Sequence, residues 1–455
     1  MLTHYDEFAG VGGTSEGASC VPGVELIFAA NHNKQAIASH AANFPNADHF
    51  DGDVERADIT TFPRADIFTA SPVCPPWSNA RGERRDFDTS TQGQLFWEHT
   101  PTPETRRARA LMEEVPRYLQ AMQLRGRPVL AGLVENVQEC RKWDEWRRWR
   151  REVNGDLYDS RLIALNSMHA NAPKSKKSPQ DRNRLYLAYW LKALGRAPDW
   201  NKWLRPRAYC PTCEVDVAAM QVFKDPTVDM GSYGRYGQYY YRCPNAACRN
   251  RIIEPAITPA STAIDPSVPA LRIGEREAHG RDPLVPATLD RIRRGIAKYA
   301  HPLPDHLGLD IPSFGISLRG GGSKKSSRLT DSQPLGTVSA SGNHHGLVPA
   351  QQLLVPYYTH GNARPVTDSI GTITTKDRWY LADLVGAMSL DQVRYRMLEP
   401  HEIGAAMAFP ADYVVFGSKG DKVRQYGNAV TPPVAEVIVS ALVEAITGEA
   451  LAPAA

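Results

Sequence analysis

The sequence predicts an α/β protein with a doubly wound, mostly parallel sheet and an inserted smaller, β-rich, zinc-bearing domain. Short apolar runs alternate with helical patterns in the first half of the chain, as in crossover units of parallel strands. The middle of the chain is rich in Pro, Gly, Ser and Thr and holds two close pairs of cysteines. Compact α/β character returns near the C-terminus. We therefore expect the larger domain to be built from two distant parts of the chain.

Composition limits the classes of protein to which the chain can belong. It has 455 residues, against roughly 150 residues per domain, and 42% of them are hydrophobic, enough for a sizeable core. The formal net charge is only +3, so a surface that binds a polyanion must be a local patch. We expect neither a membrane-spanning run nor a secretory leader at Met1–Leu26. An odd count of 7 cysteines suits a reducing compartment, and we expect a cytoplasmic protein.

Four segments predict the strands of the sheet. Val24–Ala30, Asp66–Ala70 and Val129–Val134 are short apolar runs of the kind that a parallel sheet buries on both faces. Leu2–Phe8 is half polar and has the least regular pattern of the four. Because parallel strands end at the same edge of a sheet, side chains that follow these strands should meet there.

Helical spacing of apolar residues predicts the helices that cover the sheet. Lys34–Asn43 follows the second strand, and Pro286–Ala300 and Pro433–Ile446 lie in the second half of the chain. A further helix precedes the strand at Val129–Val134, and we expect Pro116 to kink or split it.

Composition shifts after about residue 190 and again at about residue 385. We therefore expect a main domain over residues 1–190, a separate irregular domain over 191–385, and a C-terminal part over 386–455 that returns to the main domain.

A glycine-rich turn follows the first strand. The segment Asp6–Gly13 (DEFAGVGG) ends a strand and opens a helix, and its glycines permit positive φ and let a ligand lie against bare backbone. A nucleotide-type loop and a plain tight turn explain this segment equally well.

Cys74 and Glu135 follow two neighbouring strands. Cys74, in Ser71–Gly82 (SPVCPPWSNARG), comes where α/β folds place ligands, and Pro75 favours an extended backbone there. Glu135, in the tripeptide ENV, should lie at the same edge, where an acid could protonate a substrate that a thiolate attacks. A buried structural thiol and an ion-paired or helix-capping carboxylate are the alternatives.

Two arginines follow in the segment Gln180–Arg184 (QDRNR). Alternation along a strand places Arg182 and Arg184 on one face. Two adjacent guanidiniums suit a phosphate or a polarised carbonyl, whereas a solvated charged edge is the other interpretation.

Two cysteine pairs predict a metal site in the middle of the chain. They are CPTC, with Cys210 and Cys213, and CPNAAC, with Cys243 and Cys248. Four thiolates in two such knuckles suit tetrahedral zinc. A site of this kind keeps no open position, so its role should be structural, in a domain with little core of its own. Unligated thiols or disulfides are the alternatives.

Five blocks, in this order, resemble the DNA (cytosine-5)-methyltransferases. They are FAGVGG at 8–13, SPVCPPWSNARG at 71–82, ENV at 135–137, QDRNR at 180–184 and RQYGNAV at 424–430. The segment Met397–Pro410 resembles the block that precedes the last of these in that family. The resemblance covers roughly residues 1–190 and 390–440. It implies the Rossmann-like fold of methyltransferases that use S-adenosylmethionine, with residues 191–385 as a target-recognition domain.

The resemblance also implies a mechanism and a cofactor site. Cys74 would attack C6 of a cytosine flipped out of double-stranded DNA, and Glu135 would protonate or hydrogen-bond N3. Arg182 and Arg184 would stabilise the base carbonyl or the backbone and help to keep the thiol ionised. The implied contacts of S-adenosylmethionine are Phe8, Gly10, Gly12, Gly13, Asn31, Asp53, Asn428 and Ala429.

The sequence departs from the family pattern at three positions. Pro75 replaces the usual Gln after the cysteine, Trp77 replaces the usual Phe, and Asn31 stands where the family has an acid for the ribose hydroxyls. An amide at that position can still bond a ribose, but without charge assistance.

The expected partner is double-stranded DNA, with no membrane, and the expected state is a monomer. Basic residues that could contact phosphate lie at 174–177 and 319–328, whereas we interpret 141–151 as a solvated helix face. Three alternatives remain open from the sequence alone. They are a tRNA cytosine-5 methyltransferase, a non-catalytic zinc-containing DNA-binding protein on a methyltransferase scaffold, and an enzyme that transfers a larger group from a modified sulfonium donor.

Overall fold

The structure is a computed structural model that describes residues 1–72, 103–302, 308–318, 327–340, 344–354, 364–365 and 389–454. Its central feature is a sheet of seven strands. They are β1 (Leu2–Glu7), β2 (Val24–Asn31), β3 (Asp48–Asp51), β4 (Ile67–Ala70), β5 (Ala131–Asn136), β6 (Tyr158–Asn166) and β7 (Asn183–Leu191). The spatial order is β3-β2-β1-β4-β5-β7-β6, and β7 runs antiparallel to the other six strands. The expected α/β class is therefore confirmed. The sheet, which was expected to be mostly parallel, is a mixed sheet of seven strands.

Helices cover both faces of this sheet. The helices of the described chain are α1 (Gly13–Ser19), α2 (Lys34–Asn43), α3 (Pro103–Leu124), α4 (Trp146–Asn154), α5 (Trp200–Trp203), α6 (Pro286–Tyr299), α7 (Pro400–Ala406), α8 (Lys419–Asn428) and α9 (Pro432–Thr447), not all of which pack on the sheet. On one face, α9 buries Val434 and Ile438 against Leu133 of β5. On the other face, α3 and α4 bury Tyr118 and Trp149 in a second core cluster. The helix predicted at 433–446 therefore exists and packs on the seven-stranded sheet.

Two differences from the predicted elements concern the site. The strand predicted at Val129–Val134 begins and ends two residues later, so Glu135 and Asn136 lie within β5 and are held by its hydrogen bonds. Pro116 was expected to kink or split a helix, and a split is excluded, because α3 runs unbroken through it. Burial of Val115 and Tyr118 on either side of the proline offsets the lost hydrogen bond.

One helical stretch of the described chain, Lys419–Thr447, satisfies the length and composition of a membrane span. It comprises α8 and α9, and 89% of its most apolar window is buried inside the protein. Core helices of globular proteins pass the same test, so this stretch is weak evidence for a membrane.

A small unit with five short strands follows β7. Its strands are β8 (Arg207–Cys210), β9 (Val215–Ala218), β10 (Met220–Phe223), β11 (Tyr239–Arg242) and β12 (Ile252–Ile253). We call residues 207–253 the cysteine module, because they contain the four paired cysteines. The few buried apolar residues of the module, among them Tyr239 and Tyr241, belong to the same core cluster as α3 and α4. The module therefore shares its core with the main sheet.

The remaining strands form an outer lobe over residues 271–397. They are β13 (Leu271–Arg272), β14 (His301–Pro302), β15 (Gly308–Ile311), β16 (Phe314–Ser317), β17 (Ser327–Leu329), β18 (His345–Val348), β19 (Gln351–Leu354), β20 (Arg364–Pro365) and β21 (Arg394–Met397). They pair as β13-β21-β18-β16-β17 and β14-β15-β19-β20. Helix α6 packs on this lobe through Ile292 and Ile296, which face Phe314 in a core of its own.

Candidate active site

The glycine-rich turn between β1 and α1 is tightly coiled. Phe8, Gly10 and Gly12 have φ of 59°, 57° and 97°, a left-handed geometry that is costly for a side chain such as Phe8. Among the described residues, an added Cβ on Gly10 would meet only the Phe8 carbonyl oxygen, at 3.9 Å, whereas one on Gly13 would lie 1.9 Å from the Val430 carbonyl oxygen. The turn is therefore open at Gly10, where a ligand could approach the backbone, and closed at Gly13.

Buried polar groups hold this turn from below. Ser15 Oγ donates to Asp6 Oδ2 at 2.7 Å, and Thr69 Oγ1 donates to Asp6 Oδ1 at 3.0 Å. Because the Ser15 hydroxyl proton goes to Asp6, the His40 Nε2 contact with Ser15 Oγ at 3.0 Å requires a proton on that nitrogen. The Nδ1 atom of His40 then accepts from His49 Nε2 at 2.8 Å.

Burial changes the titration of these groups. It raises the pKa of Asp6 to about 7, against the opposing hydrogen bonds from Ser15 and Thr69. It raises the pKa of Glu7 to about 8 and lowers that of His40 to about 3. Within the part of the chain that the structure describes, Glu7 Oε2 has no hydrogen-bond partner. The turn thus lies above two carboxyls that resist ionisation.

The C-terminal block 424–430 lies directly against the turn. Helix α8 ends at Asn428, and the following Ala429 is extended and buried. Its Cβ would be 3.2 Å from an added Cβ on Gly13, so the two segments are in close contact. Gly13 and Ala429, two of the implied cofactor residues, are therefore in close contact where α1 meets the segment that follows α8.

Asn31 and Asp53 lie at the ends of the next strands. Asn31 is the last residue of β2, and its Oδ1 accepts from Asn33 N at 2.9 Å, which leaves its amide nitrogen as the donor for a ligand. Asp53 follows β3 and caps a short 3₁₀ turn by accepting from Glu55 N at 3.3 Å. Strands β2 and β3 run parallel to β1, so both residues lie at the carboxyl edge of the sheet.

Glu135 and Arg184 form a buried ion pair on adjacent antiparallel strands. Arg184 Nε lies 3.1 Å from Glu135 Oε1, and only 16% and 10% of the respective side chains are exposed. Burial raises the pKa of Glu135, and the neighbouring guanidiniums of Arg184 and Arg182 partly oppose this shift. The arrangement provides a carboxyl group that can hold a proton nearer to neutral pH than an exposed glutamate does.

Arg182 has a different environment from Arg184. It is buried, and its guanidinium donates to three main-chain carbonyls: Val338 at 3.0 Å, Gly427 at 3.3 Å and Ala429 at 2.9 Å. These bonds join β7 to the outer lobe and to the C-terminal block. Its geometry indicates a positioning role.

Cys74 lies outside the described residues, as do Pro75 and Trp77. The described segment that precedes Cys74 ends at Pro72, whose carbonyl oxygen accepts from Asn136 Nδ2 at 3.3 Å. Asn136 belongs to the tripeptide ENV, so the segment leading to Cys74 is hydrogen-bonded to the strand that carries Glu135. The structure therefore brings Glu135 and Arg184 together and leaves the location of the thiol as a prediction.

The four paired cysteines converge in the cysteine module. The sulfur atoms of Cys210, Cys213, Cys243 and Cys248 all lie within 4.8 Å of one another. Cys210 and Cys243 are buried, and the other two are half-buried. This spacing and donor set suit a tetrahedral ion such as zinc.

Other contacts at the edge were missed by sequence reasoning. Asp181 accepts from Arg328 at 2.8 Å, and its main-chain carbonyl accepts from Thr337 Oγ1 at 2.8 Å, so the outer lobe is held beside β7. Both residues lie in segments that the sequence pattern marks as candidates for function, because Asp181 lies inside the QDRNR block and Arg328 inside a basic stretch. Neither residue type reveals its partner across 147 positions.

The basic stretches have separate outcomes. In the 141–151 stretch, Trp146 and Trp149 are buried, and Arg148 pairs with Glu145, Glu152 and Glu113, as expected for a helix face. Residues 319–326 lie outside the described residues, so their expected contact with phosphate stays a prediction.

Comparison with known proteins identifies the family. Residues 2–128 and 324–444, together more than half of the chain, match the family model described as C-5 cytosine-specific DNA methylase. Type II methyltransferase M1.ScrFI of Lactococcus lactis subsp. cremoris is 29% identical over 192 residues, 40% of this chain and 40% of that protein. Type II methyltransferase M.MspI of Moraxella sp is 32% identical over 112 residues, 24% of this chain and 26% of that protein. The alignments thus span less than half the length of these relatives.

Solved structures share the fold. A triple mutant of Spodoptera frugiperda DNMT2 matches with a TM-score of 0.52 and 13% identity, over 98% of this chain and 100% of that chain. Entamoeba histolytica methyltransferase EhMeth matches with a TM-score of 0.50 and 12% identity, over 98% of both chains. At such identities the likeness shows the fold alone. With the family model matched on both parts of the main domain, the chain belongs to the C-5 cytosine-specific DNA methylase family.

Proposed function

We propose that the protein transfers a methyl group from S-adenosylmethionine to C5 of a cytosine flipped out of double-stranded DNA. The observation that carries this proposal is the ion pair of Glu135 and Arg184, in which Arg184 Nε lies 3.1 Å from Glu135 Oε1. Glu135 lies on β5, the strand that is hydrogen-bonded to Pro72. Pro72 precedes the proposed nucleophile, Cys74, by two residues. Family membership supports both the position methylated and DNA as the substrate.

The glycine-rich turn fits an adenosyl cofactor. Backbone at Gly10 is open on one side, and Asn31 and Asp53 present polar groups at the same edge of the sheet. We assign the cofactor contacts to Phe8, Gly10, Gly12, Gly13, Asn31, Asp53, Asn428 and Ala429. S-Adenosylmethionine, when bound, supplies an electrophilic methyl group on a sulfonium sulfur.

Residues of the chain would make C5 of cytosine nucleophilic. The Cys74 thiolate forms a bond to C6, Glu135 delivers a proton to N3, and the C5–C6 π electrons become available at C5. C5 then takes the methyl group as the methyl–sulfur bond breaks. Loss of the C5 proton to solvent, cleavage of the bond between Cys74 and C6, and return of the N3 proton to Glu135 give 5-methylcytosine and free thiolate.

The two arginines divide the remaining work. Arg184 contacts Glu135 directly, so it orients the carboxyl and lies where the base carbonyl would approach. Arg182 instead fixes the backbone of Gly427 and Ala429, beside the cofactor turn. We therefore assign Arg184 to the substrate and Arg182 to the scaffold.

The insertion between the two parts of the main domain would read the DNA. Duplex recognition needs a protein surface that reaches the grooves of the DNA. The cysteine module and the outer lobe are the two parts of the insertion that would provide such surfaces. Four clustered sulfur atoms suit a structural Zn²⁺ in the cysteine module. Enzymes that act on a stacked base must extrude it, which supports base flipping for this chain.

The decisive experiment measures transfer of labelled methyl to duplex DNA of mixed sequence. Wild-type protein should methylate cytosine, and Cys74→Ser should lose transfer while it retains the circular dichroism of the fold. Cys20→Ser is the matched control, because Cys20 is half-buried at the end of α1 and should keep full activity. Wild-type turnover by Cys74→Ser would refute the nucleophile. Transfer to tRNA and not to duplex DNA would refute the substrate, and transfer to neither would refute the activity.

A further inference from the structure

The cysteine module contacts the main sheet immediately beside Glu135. Gln138, three residues after Glu135, donates through Nε2 to the Gly231 carbonyl oxygen at 2.7 Å. It also accepts through Oε1 from Ser232 Oγ at 3.0 Å. Both groups of one side-chain amide are therefore used to hold the module against the segment that leaves β5.

A second contact reaches the strand that carries Arg184. Tyr233 N donates to Asn183 Oδ1 at 3.2 Å, and Asn183 is the residue directly before Arg184. Residues 231–233 of the module thus bridge the ends of the two strands that hold the Glu135–Arg184 pair. Asn183 Nδ2 also bonds Asp181, at 3.2 Å, which ties the same point to the outer lobe.

Aromatic packing links these contacts to the cysteines. The rings of Tyr233 and Tyr241 contact the His169 ring edge-on, with centroids 4.5 Å and 5.0 Å apart. Burial lowers the pKa of His169 to about 3, so this ring stays neutral and packs as an aromatic. Tyr241 lies on β11, and Cys243 follows that strand, so a shift of the cysteine knuckle must shift the ring that rests on His169.

The module has little else to fix its shape. Its strands are two to four residues long, and its apolar residues join the core of the main sheet. Short strands with so few buried apolar groups gain little stability from burial, so a metal would supply the missing constraint. The whole module lies within residues 129–323, between the two segments that match the family model.

We propose that metal binding by the four cysteines positions the catalytic edge, through the contacts of residues 231–233 with Gln138 and Asn183. The metal thereby acts on Glu135 and Arg184 without touching substrate, and the module is a positioning device in addition to a DNA-binding surface. The effect of the metal on catalysis rests on the proposed methyl transfer. The effect of the metal on the structure of the edge does not.

The structural part is tested on the full chain without an activity assay. Protein purified without chelator should contain one Zn²⁺ per chain, and replacement by Co²⁺ should give the absorption of a tetrahedral thiolate site. Removal of the metal should speed amide hydrogen exchange at 138–142 and 180–184, while α9 keeps its protection. Absence of stoichiometric metal would overturn the proposal. So would a module that loses protection on metal removal while 138–142 and 180–184 remain protected.

The catalytic part is tested with two matched glutamine variants. Gln138→Ala breaks the contacts beside Glu135, whereas Gln221→Ala breaks another bond between the module and the main sheet, from Gln221 Nε2 to the Ala164 carbonyl oxygen at 2.8 Å, on the edge strand β6. We expect Gln138→Ala to lower kcat roughly tenfold with unchanged KM for DNA and unchanged zinc content, because the acid is misplaced. Gln221→Ala should change kcat less than about twofold. Equal losses in both variants, or losses in KM alone, would overturn the positioning role.

Discussion

The glycine-rich turn and the cysteine module shape the same edge of the sheet by opposite means. The turn is fixed by the chain itself: Gly13 is pressed against Val430, and buried hydrogen bonds from Ser15 and Thr69 hold Asp6 beneath it. The module has four sulfur atoms within 4.8 Å and hardly any core that is its own. The stability of the glycine-rich turn should therefore depend on proton binding by its buried carboxyls, whereas the stability of the cysteine module should depend on metal binding.

The largest expected effect lies between these two regions, at Glu135. Glu135→Gln keeps the shape and a hydrogen-bond donor but cannot transfer a proton, so kcat should fall by about 10² to 10⁴. Single-turnover methylation of duplex DNA measures this loss. Glu25→Gln, the same change at an exposed position of β2, is the control and should leave kcat unchanged.

The pH profile sharpens the same prediction. Because burial raises the pKa of Glu135, the protonated form persists to higher pH than for an exposed glutamate, and kcat should decline on the alkaline side as this proton is lost. In Glu135→Gln this alkaline decline should disappear. A residual rate with the wild-type pH dependence would show that another group supplies the proton.

Arg182 tests whether the turn depends on long-range contacts. Arg182→Met should lower the free energy of unfolding by about 3 kcal/mol, because three buried carbonyls lose a charged donor. Denaturant unfolding measures the change. Arg196 is the matched control: it donates to Ala445 and Ile446 carbonyls but is exposed, so Arg196→Met should cost less than about 1 kcal/mol. Equal losses would contradict the special position of Arg182.

The turn should also respond to pH. Asp6 and Glu7 have folded pKa values near 7 and 8, raised from ordinary values near 4, so the folded state binds more protons than the unfolded state across this range. The buried histidines are largely neutral in both states only above about pH 7.5, one unit above the ordinary histidine pKa. Between pH 7.5 and 9 the free energy of unfolding should therefore fall by about 1 kcal/mol without cofactor.

A double variant identifies the groups responsible. Asp6→Asn with Glu7→Gln removes both raised carboxyls, so its unfolding free energy should be nearly constant between about pH 7.5 and 9. His4 and His40, whose pKa values are lowered to about 3, act with the opposite sign below about pH 7.5 and provide an internal check. A wild-type slope in the double variant would place the titrating groups elsewhere.

Sequence periodicity predicted the main strands and helices well, and of the residues predicted to act together the structure brings Glu135 and Arg184 into contact. Helix Lys34–Asn43 was predicted with its observed bounds, and the closing helix to within a residue at each end. Glu135 was predicted beyond its strand because polar residues read as loop, whereas pairing with β7 extends β5 through Asn136. Period and propensity carry no information about such pairing.

Long-range polar partners could not be predicted. Arg182 appeared equivalent to Arg184, because alternation assigns a face but not the groups opposite it. The contact of Gln138 with Gly231 spans 93 positions and involves a main-chain carbonyl, which leaves no trace in residue type. The convergence of the two cysteine pairs could be predicted, because the spacing within each pair is local in sequence and is typical of a metal-binding knuckle.

The smallest effect tests the departure at Asn31. Asn31→Asp replaces a neutral hydrogen bond to a ribose hydroxyl by a charge-assisted one, and should tighten S-adenosylmethionine binding by about fivefold. An aspartate keeps the acceptor for Asn33 N, so the local turn should persist. Calorimetric titration measures the dissociation constant. Asn33→Asp adds the same charge two residues away, at the N-cap of α2, and should leave binding nearly unchanged. If both variants tighten binding equally, general attraction of the cationic cofactor explains the gain, and Asn31 does not contact the ribose.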